Sequence, residues 1–181
     1  MLGQTALEIN KNISTRFKLS TSDSKIWSQL FDFFSVKDNW NILLDFLRND
    51  SKISLRVIDY FLTTYCYNKK IIYKSKNIFT EYKEQLKKYH KKYFDPCSRG
   101  TKIPFFFDKD NCVITTICQL NFLKWFIKTK YYVKFLDEYK EIKNDMKNKS
   151  KRIKSNSFIV NYKKNNTIYC STEKNIKAMF D

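Results

Sequence analysis

Apolar side chains recur every three to four residues in six successive segments of this 181-residue chain. Because an α-helix turns once in 3.6 residues, this spacing places the apolar residues of each segment on one face and predicts six amphipathic helices. Their expected limits are Ser22 or Ser24 to Ser35, Asp38 or Asn39 to about residue 47, residues 54–67, residues 81–93, Thr115 or Thr116 to about residue 127, and Val133 or Phe135 to about Met146. The fifth helix is the most apolar, so we expect it to form the core.

Alternation of apolar and polar residues between these helices predicts short β-hairpins. The predicted strand pairs are Ile71–Tyr73 with Ile78–Thr80, Ile103–Phe107 with Cys112–Thr115, and Phe158–Tyr162 with Thr167–Cys170. In the first twenty residues, Phe17 and Leu19 alternate with charged residues, which indicates a short strand or an arm. Ile176–Asp181 is an amphipathic end that could pair with the last hairpin.

Together these elements predict an α+β fold, a helix-rich single domain with two or three short β-hairpins. Three helices followed by a hairpin also suggest a winged-helix-like N-terminal half. The alternative is a plain helical core layer, which the apolar residues Ile58, Phe61, Leu62 and Tyr65 of the third helix favour. The expected organisation is a mainly helical basic domain over residues 1–146, a basic linker over 147–156, and a C-terminal β-hairpin over 157–181 that packs on the same domain.

The charge of the chain is strongly positive and unevenly distributed. There are 35 basic and 18 acidic side chains, a net charge of +17, and residues 1–50 hold six of each sign. The whole excess therefore lies after residue 50, where it attracts polyanions such as nucleic acid or an anionic membrane face. Genome composition is the competing explanation, because 30 of the 35 basic residues are Lys and the chain has 16 Asn, 18 Ile and only two Ala.

The candidate nucleic-acid contacts lie in the fourth helix, in the loop after it and in the basic run at residues 147–154. They are Lys83, Lys87, Lys88, Lys91, Lys92, Arg99, Lys102, Lys147, Lys149, Lys151, Arg152 and Lys154. The tyrosines between the lysines of the fourth helix recur at helical spacing, which favours core packing over base stacking. In the loop, Gly100 lies between Arg99 and Lys102, and this leaves two interpretations open, a backbone anion site or a tight connection.

Several kinds of chemistry are excluded by residue type. Only Gly3 and Gly100 are glycines, so no Gly-rich phosphate loop can form, because such loops need several residues with positive φ. The single histidine, His90, has no acid or cysteine at ligand spacing. We therefore expect no enzymatic activity, no metal, no cofactor and no small-molecule substrate.

Buried polar and thiol groups are expected within the apolar segments. The five cysteines form no C-x-x-C pair, so neither a disulfide framework nor a zinc site is indicated. Cys66 and Cys118 are expected to be buried thiols, and Gln119 and Asn121 to be buried amides that bond to backbone. No run of about 18 apolar residues and no signal-peptide pattern is present, so we expect no membrane partner and no secretion.

Three stretches resemble a known family. They are Ser51–Tyr65, Tyr82–Pro96 and Ile114–Trp125, and they are similar to a family of short basic proteins of nucleocytoplasmic large DNA viruses, the giant viruses. The family has no assigned activity, and the resemblance carries over no catalytic residue. It covers about Trp40 to Asp181 and leaves the first forty residues uncovered. Where the family tends to have adjacent basic residues after F-D-P, this chain has Cys97, Ser98 and one Arg99, which weakens an anion site there.

The charge and the resemblance together predict a non-enzymatic, basic nucleic-acid-binding protein of a giant DNA virus, acting in viral transcription or genome packaging. The resemblance implies work at a viral replication site in the host cytoplasm or in the virion. One alternative is a structural virion or assembly protein that binds other viral proteins through an exposed Trp or Phe patch. Another is a divergent enzyme acting on nucleic acid, which would depend on a carboxylate such as Asp95.

Overall fold

The computed structural model describes residues 4–48, 51–106 and 112–164, and beyond Lys151 it describes backbone only. The elements in chain order are α1 (Gln4–Arg16), α2 (Thr21–Phe34), α3 (Lys37–Leu47), α4 (Leu55–Tyr60), a π-helical turn (Phe61–Tyr65), α5 (Cys66–Lys69), β1 (Ile72–Tyr73), β2 (Lys76–Asn77), α6 (Ile78–Tyr93), β3 (Ile103–Phe106), β4 (Cys112–Thr115), α7 (Ile117–Lys128), α8 (Tyr131–Asp137) and α9 (Tyr139–Lys164). The chain falls into two compact units, Met1–Ile142 and Lys143–Asp181. The predicted helix-rich α+β fold is confirmed, with two small antiparallel sheets in the first unit.

Helix α7 forms the core of the first unit, as its composition predicts. It packs against α2, α3, α6 and α8, and Leu120, Phe122, Leu123 and Phe126 are fully buried. Thr116 caps its start, because the Thr116 hydroxyl accepts a hydrogen bond from the backbone N–H of Gln119 at 3.0 Å. The N-cap and the apolar run after it are local features of the sequence, and they predicted this helix correctly.

The hairpin β3–β4 carries an aromatic cluster that joins the sheet to α2 and α3. The strands pair antiparallel, with Ile103 opposite Thr115, and this confirms the predicted hairpin over its described residues. The Phe105 ring lies on the buried face, with centroids 5.5 to 6.3 Å from four rings, those of Trp27, Phe31, Phe34 and Trp40. We call these five residues the Phe105 cluster. Such ring pairs each contribute about 0.5–1.5 kcal/mol beyond the area they bury.

Helix α1 corrects the prediction of a strand or an arm in the first twenty residues. Ala6, Asn10 and Ile13 lie on one face at steps of four and three and are buried. The Asn10 amide bonds to β3 like a neighbouring strand, because its Nδ2 donates to the Phe106 carbonyl at 2.7 Å and its Oδ1 accepts from the Phe106 N–H at 2.9 Å. These partners are 96 residues away along the chain, so no local pattern could indicate that Asn10 is a core residue.

Helices α2 and α3 confirm two predicted helices but shift their starting residues. Ser20, rather than Ser22 or Ser24, is the N-cap of α2, and its hydroxyl accepts the N–H of Asp23 at 3.1 Å. Helix α3 follows Val36 without any side-chain cap bond. The apolar stripes were predicted correctly because they depend on periodicity alone. The choice of cap among several serines depends on where the preceding chain turns.

The predicted third helix is interrupted by the π-helical turn. The N–H of Cys66 donates to the carbonyl of Phe61, five residues earlier. Ile58, Phe61 and Leu62 are fully buried, and Tyr65 is 1% exposed. These apolar side chains form the buried face expected of a helical core layer, the alternative to the recognition helix of a winged-helix protein.

The predicted hairpin over residues 71–80 is shorter than expected. Strands β1 and β2 pair antiparallel, with Ile72 opposite Asn77. The predicted second strand, Ile78–Thr80, is wrong, because Asn77 caps α6 through its Oδ1, which accepts the Thr80 N–H at 3.0 Å. Ile78 instead shares the buried face of α6 with Tyr82.

The last predicted helix is divided in two and extends much further than expected. The backbone leaves helical geometry at Glu138, with φ −102° and ψ 8°, and α9 then runs to Lys164. The predicted linker at 147–156 and the predicted strand Phe158–Tyr162 are therefore helical, in a segment with no Pro or Gly to end a helix. The predicted strand Thr167–Cys170 and the end Ile176–Asp181 lie outside the described residues, and the predicted domain boundaries remain a prediction.

Candidate nucleic-acid interface

Helix α6 presents five of the predicted contact residues to solvent. The side chains that are exposed are those of Lys83, Lys87, Lys88, Lys91 and Lys92. On the opposite side Tyr82 is 5% exposed, and the Tyr89 ring stacks on Phe94 with centroids 6.0 Å apart and planes 14° apart. These two tyrosines pack into the protein, as predicted, and the lysines face water.

Most of these lysines lack an acidic partner. Among the residues that the structure describes, four form no ion pair: Lys83, Lys87, Lys88 and Lys92. We call them the α6 lysines. Three lie beside aromatic rings, with ammonium-to-centroid distances of 5.6 Å for Lys83 over Phe79, 5.1 Å for Lys88 over Tyr89 and 5.0 Å for Lys92 over Tyr93. An exposed contact of this kind contributes only about 0.5–1 kcal/mol, so the ammonium groups stay available to a phosphate.

The α6 lysines lie on two sides of the helix. Lys83 and Lys87 line a shallow depression together with His90. Lys88 lies on another side, near Lys124 of α7. The pKa of Lys124 is lowered by burial first, then by Lys128 and more weakly by Lys88.

Lys124 and Lys128 are cations that the sequence analysis missed. Lys124 is partly buried and donates to the backbone carbonyl of Gln29 at 3.2 Å, whereas Lys128 is exposed. Their spacing of four residues on one helix is a signal that could have been noticed. The closeness of Lys124 to Lys88 depends on how α6 packs on α7, and no sequence spacing shows that.

The helical path of α6 breaks at His90. Its backbone has φ 54° and ψ 163°, a combination that normally belongs to glycine and costs about 1–3 kcal/mol for other residues. The chain therefore changes direction before Lys91 and Lys92. Lys91 then pairs with Asp95, with 4.0 Å between Nζ and Oδ2.

The loop after α6 has internal hydrogen bonds of the kind expected in a tight connection. The Cys97 N–H donates to Asp95 Oδ1 at 2.8 Å, and the Gly100 N–H donates to Ser98 Oγ at 3.2 Å. Gly100 does not have positive φ. Arg99 and Lys102 are exposed, so they can contribute side-chain contacts to an anion without a backbone cradle.

Two buried side-chain amides of helix α7 bind the backbone at the end of α6 and in this loop. Gln119 Nε2 donates to the Pro96 carbonyl at 3.1 Å, and Asn121 Nδ2 donates to the Tyr93 carbonyl at 2.9 Å. This confirms the prediction that both amides are satisfied by backbone. The end of α6 and its basic loop are therefore fixed to the core helix α7.

The described cysteines are free thiols, and two of them have the predicted structural role. Cys66 is fully buried and Cys118 is 5% exposed. Burial raises the pKa of Cys66, and burial, the largest effect, together with nearby Asp95 raises the pKa of Cys118 to about 11. Both therefore stay protonated near neutral pH, as expected of small buried hydrophobic side chains.

The second unit contains the remaining predicted contacts. Residues 143–164 hold eight basic side chains and one acidic one, and they lie in α9. Lys147, Lys149 and Lys151 are exposed. Lys147 and Lys151 are four residues apart on one face, about 6 Å along the helix axis. Arg152 and Lys154 lie in α9 where only backbone is described.

Asp59 on α4 is a half-buried carboxylate beside the end of α6. Among the described residues, no group donates a hydrogen bond to its side chain. Burial is the main cause that raises the pKa of Asp59; nearby Asp95 raises it further, and Lys91 partly offsets both effects. An acid in such a place is destabilising when it is charged.

We expect Asp59→Asn to raise the melting temperature at neutral pH. Because the folded protein binds the Asp59 proton more tightly than the unfolded chain does, wild-type stability falls as the pH rises from the ordinary carboxylate pKa through the raised one. The amide avoids that loss, and solvent screening keeps the gain below about 1 kcal/mol. Thermal unfolding from about pH 3 to 8 measures the difference. An exposed control, Asp32→Asn, should show no such gain, and a gain of equal size in both variants would contradict the assignment.

The part of the chain that the structure describes contains no candidate metal site and no candidate membrane span. In it, no three His, Cys, Asp or Glu side chains are grouped closely enough to hold a metal ion. None of its helices combines the length and the apolar character that crossing a membrane requires.

The fold defines a small, helix-rich, basic α+β protein with exposed lysines on α6. The chain belongs to a family of unknown function, DUF7197, which matches residues 4–162. It is 30% identical over 164 residues to uncharacterized protein L507 of Acanthamoeba polyphaga mimivirus. This confirms the resemblance to giant-virus proteins. The family match begins at residue 4 and so includes most of the first forty residues, which the motif-based resemblance leaves uncovered.

The chain spans 63% of the length of that mimivirus protein, and the alignment covers 81% of the chain itself. No solved structure matches it. The relationship therefore identifies the family, and a function has to be argued from the chemistry of the interface.

Proposed function

We propose that this protein is a non-enzymatic nucleic-acid-binding protein of a giant virus, acting in viral transcription or genome packaging at the cytoplasmic replication site or in the virion. The observation that carries the proposal is the set of α6 lysines, exposed and without an acidic partner among the described residues. Phosphate contacts need little more than such positioned cations, and they dominate sequence-independent affinity.

The distribution of charge supports the proposal. Residues 1–50 have no net charge, whereas the rest of the chain carries the full +17. A uniform compositional bias toward Lys would not by itself leave the first fifty residues neutral. The basic segment at 143–164 is a second region with the same excess, and its exposed lysines could contact phosphates independently of α6.

The alternative, a virion or assembly protein that binds other proteins, would be supported by an exposed aromatic patch. Trp27, Trp40 and Trp125 are 1%, 8% and 9% exposed, so the tryptophans are used in the core. The large apolar side chains exposed among the described residues are Phe17, Val36, Tyr67, Ile72, Ile114 and Leu136. Only one of these is a phenylalanine, and no specific observation favours a protein partner.

A direct titration tests the proposal. Full-length protein is titrated against labelled duplex DNA, single-stranded DNA and RNA of equal length by fluorescence anisotropy at about 50 and 200 mM salt. If six to ten phosphates are contacted, affinity should fall by about three to five decades between these conditions. Flat salt dependence, or weak binding to all three, would contradict the proposal. Recovery in a stoichiometric protein complex after nuclease treatment would then support the assembly alternative.

A further inference from the structure

A groove of about 440 Å³ lies between the π-helical turn and α6. Its lining includes the aromatic residues Tyr67 and Phe79, the lysines Lys83 and Lys91, and the acid Asp59. Pockets that bind small organic groups usually measure about 300–1,000 Å³ and combine apolar surface with a few polar groups. The groove has the size and the mixture of chemistry for a ligand that is partly flat and partly anionic.

Tyr67 and Phe79 form the aromatic wall of the groove. This wall is accessible, unlike most of the described rings. Tyr67 is 62% exposed, and its ring centroid is 4.9 Å from that of Phe79, with 54° between the planes. A large exposed ring in an otherwise well-packed aromatic chain contributes little to the core. Such rings bind nucleobases by stacking, and every base has the flat face that this requires.

The π-helical turn explains how the wall and the acid come to line one groove. Asp59, Thr63 and Tyr67 all line it, and they are spaced by four residues. In a regular α-helix each such step drifts by about 40° around the axis, because 3.6 residues complete a turn. The wider turn between Phe61 and Cys66 rotates less per residue, which brings the three side chains closer to one line. Turns of this kind often occur at functional sites.

The charged groups of the groove are arranged around the rings. Lys83 lies over Phe79, with 5.6 Å from its ammonium to the ring centroid. Lys91, which also lines the groove, pairs with Asp95, with 4.0 Å between Nζ and Oδ2. Asp59 receives no hydrogen bond from a described group, so its oxygens are free to accept one from a ligand. The groove therefore offers stacking surface, two cations and an acceptor.

We propose that this groove binds one unpaired nucleotide, with its base against Tyr67 and Phe79, an amino group of the base on Asp59, and its phosphate on Lys83. The inference rests on the proposed function and adds to it a preference for single strands. Bases within a duplex are stacked on their neighbours and cannot enter such a groove unless they are flipped out. A free nucleotide presents the same chemistry, so the test separates the two sources.

The test uses full-length protein and three probes. They are a labelled single strand of about 12 nucleotides, the same strand with every base removed, and adenosine monophosphate as a competitor. The strand with bases should bind about five- to a hundredfold more tightly than the abasic strand, which has the same phosphates. Tyr67→Leu should remove most of this difference. Phe17→Leu, an exposed ring outside the groove, should leave it unchanged.

Each outcome decides between the two proposals. Equal, salt-dependent binding of both strands would overturn the groove and leave phosphate binding intact. If adenosine monophosphate binds and displaces the little strand that is bound, while both strands bind weakly, the groove is one for free nucleotides. That result would overturn the proposed function. Absence of binding by all three probes would overturn both. A Tyr67→Leu variant with unchanged unfolding temperature and unchanged base preference would also overturn the groove.

Discussion

Replacing the four α6 lysines by glutamine should remove most of the affinity for duplex DNA. Each phosphate contact contributes about 0.9 to the slope of log affinity against log salt, so the loss of four contacts should lower that slope by about 3.6. Between 50 and 200 mM salt, the affinity of the variant should consequently fall by about two decades less than that of the wild type. The variant should fold normally, because all four side chains are exposed and unpaired among the described residues.

A control of equal charge separates local contacts from the overall field. Replacing Lys18, Lys25, Lys37 and Lys52 by glutamine removes the same four charges from exposed positions outside α6. If α6 is the interface, this control should retain a slope close to that of the wild type. An equal reduction in both quadruple variants would mean that net charge, rather than the placement of the α6 lysines, determines binding.

Phe105→Ala should be among the most destabilising single substitutions in this protein. The Phe105 ring is fully buried and contacts the rings of α2 and α3 in the Phe105 cluster. Truncation of a buried Phe costs about 3–5 kcal/mol, because the cavity left behind closes only in part. Since small proteins are stable by about 5–15 kcal/mol, the loss should be evident in urea unfolding followed by circular dichroism.

Two companion variants make this result interpretable. Ile114 is on the same hairpin and 60% exposed, so Ile114→Ala should change stability by no more than about 0.5 kcal/mol. Phe105→Leu retains apolar bulk and should give an intermediate loss, which can be measured even if the alanine variant does not fold. A loss for Phe105→Ala as small as that for Ile114→Ala would show that the Phe105 cluster does not stabilise the fold.

The candidate interface could be predicted only in part. Lysines such as Lys87 were identified correctly as exposed, because lysines on the polar face of an amphipathic helix almost always are. The proximity of Lys88 to Lys124 and the meeting of Asp59 with Lys91 were not predicted. Both depend on which helices pack together, and one-dimensional spacing carries no information about that.

Among the aromatic residues, too, some positions were predicted from the sequence and others were not. Tyr82 was expected in the core from its spacing in α6, and it is buried. Tyr67 was not singled out, although it lies off the apolar stripe of that helix and is 62% exposed, and the π-helical turn before it was not predicted. A π-helical turn arises where tertiary packing favours an extra residue in the helix, and the periodicity of residues 54–67 is equally compatible with a regular helix.

The sequence by itself determined the elements whose cause is local. Thr116 caps α7, the apolar run after it forms the core, and alternation around residues 103–115 predicts the hairpin, because caps and periodicity act over a few residues. Only the tertiary structure decided the elements whose partners are remote. Asn10 becomes a core residue because Phe106 offers it two hydrogen bonds, and the groove exists because the π-helical turn packs beside α6. Such contacts join residues far apart in the chain, and their stability depends on the burial that the complete fold provides.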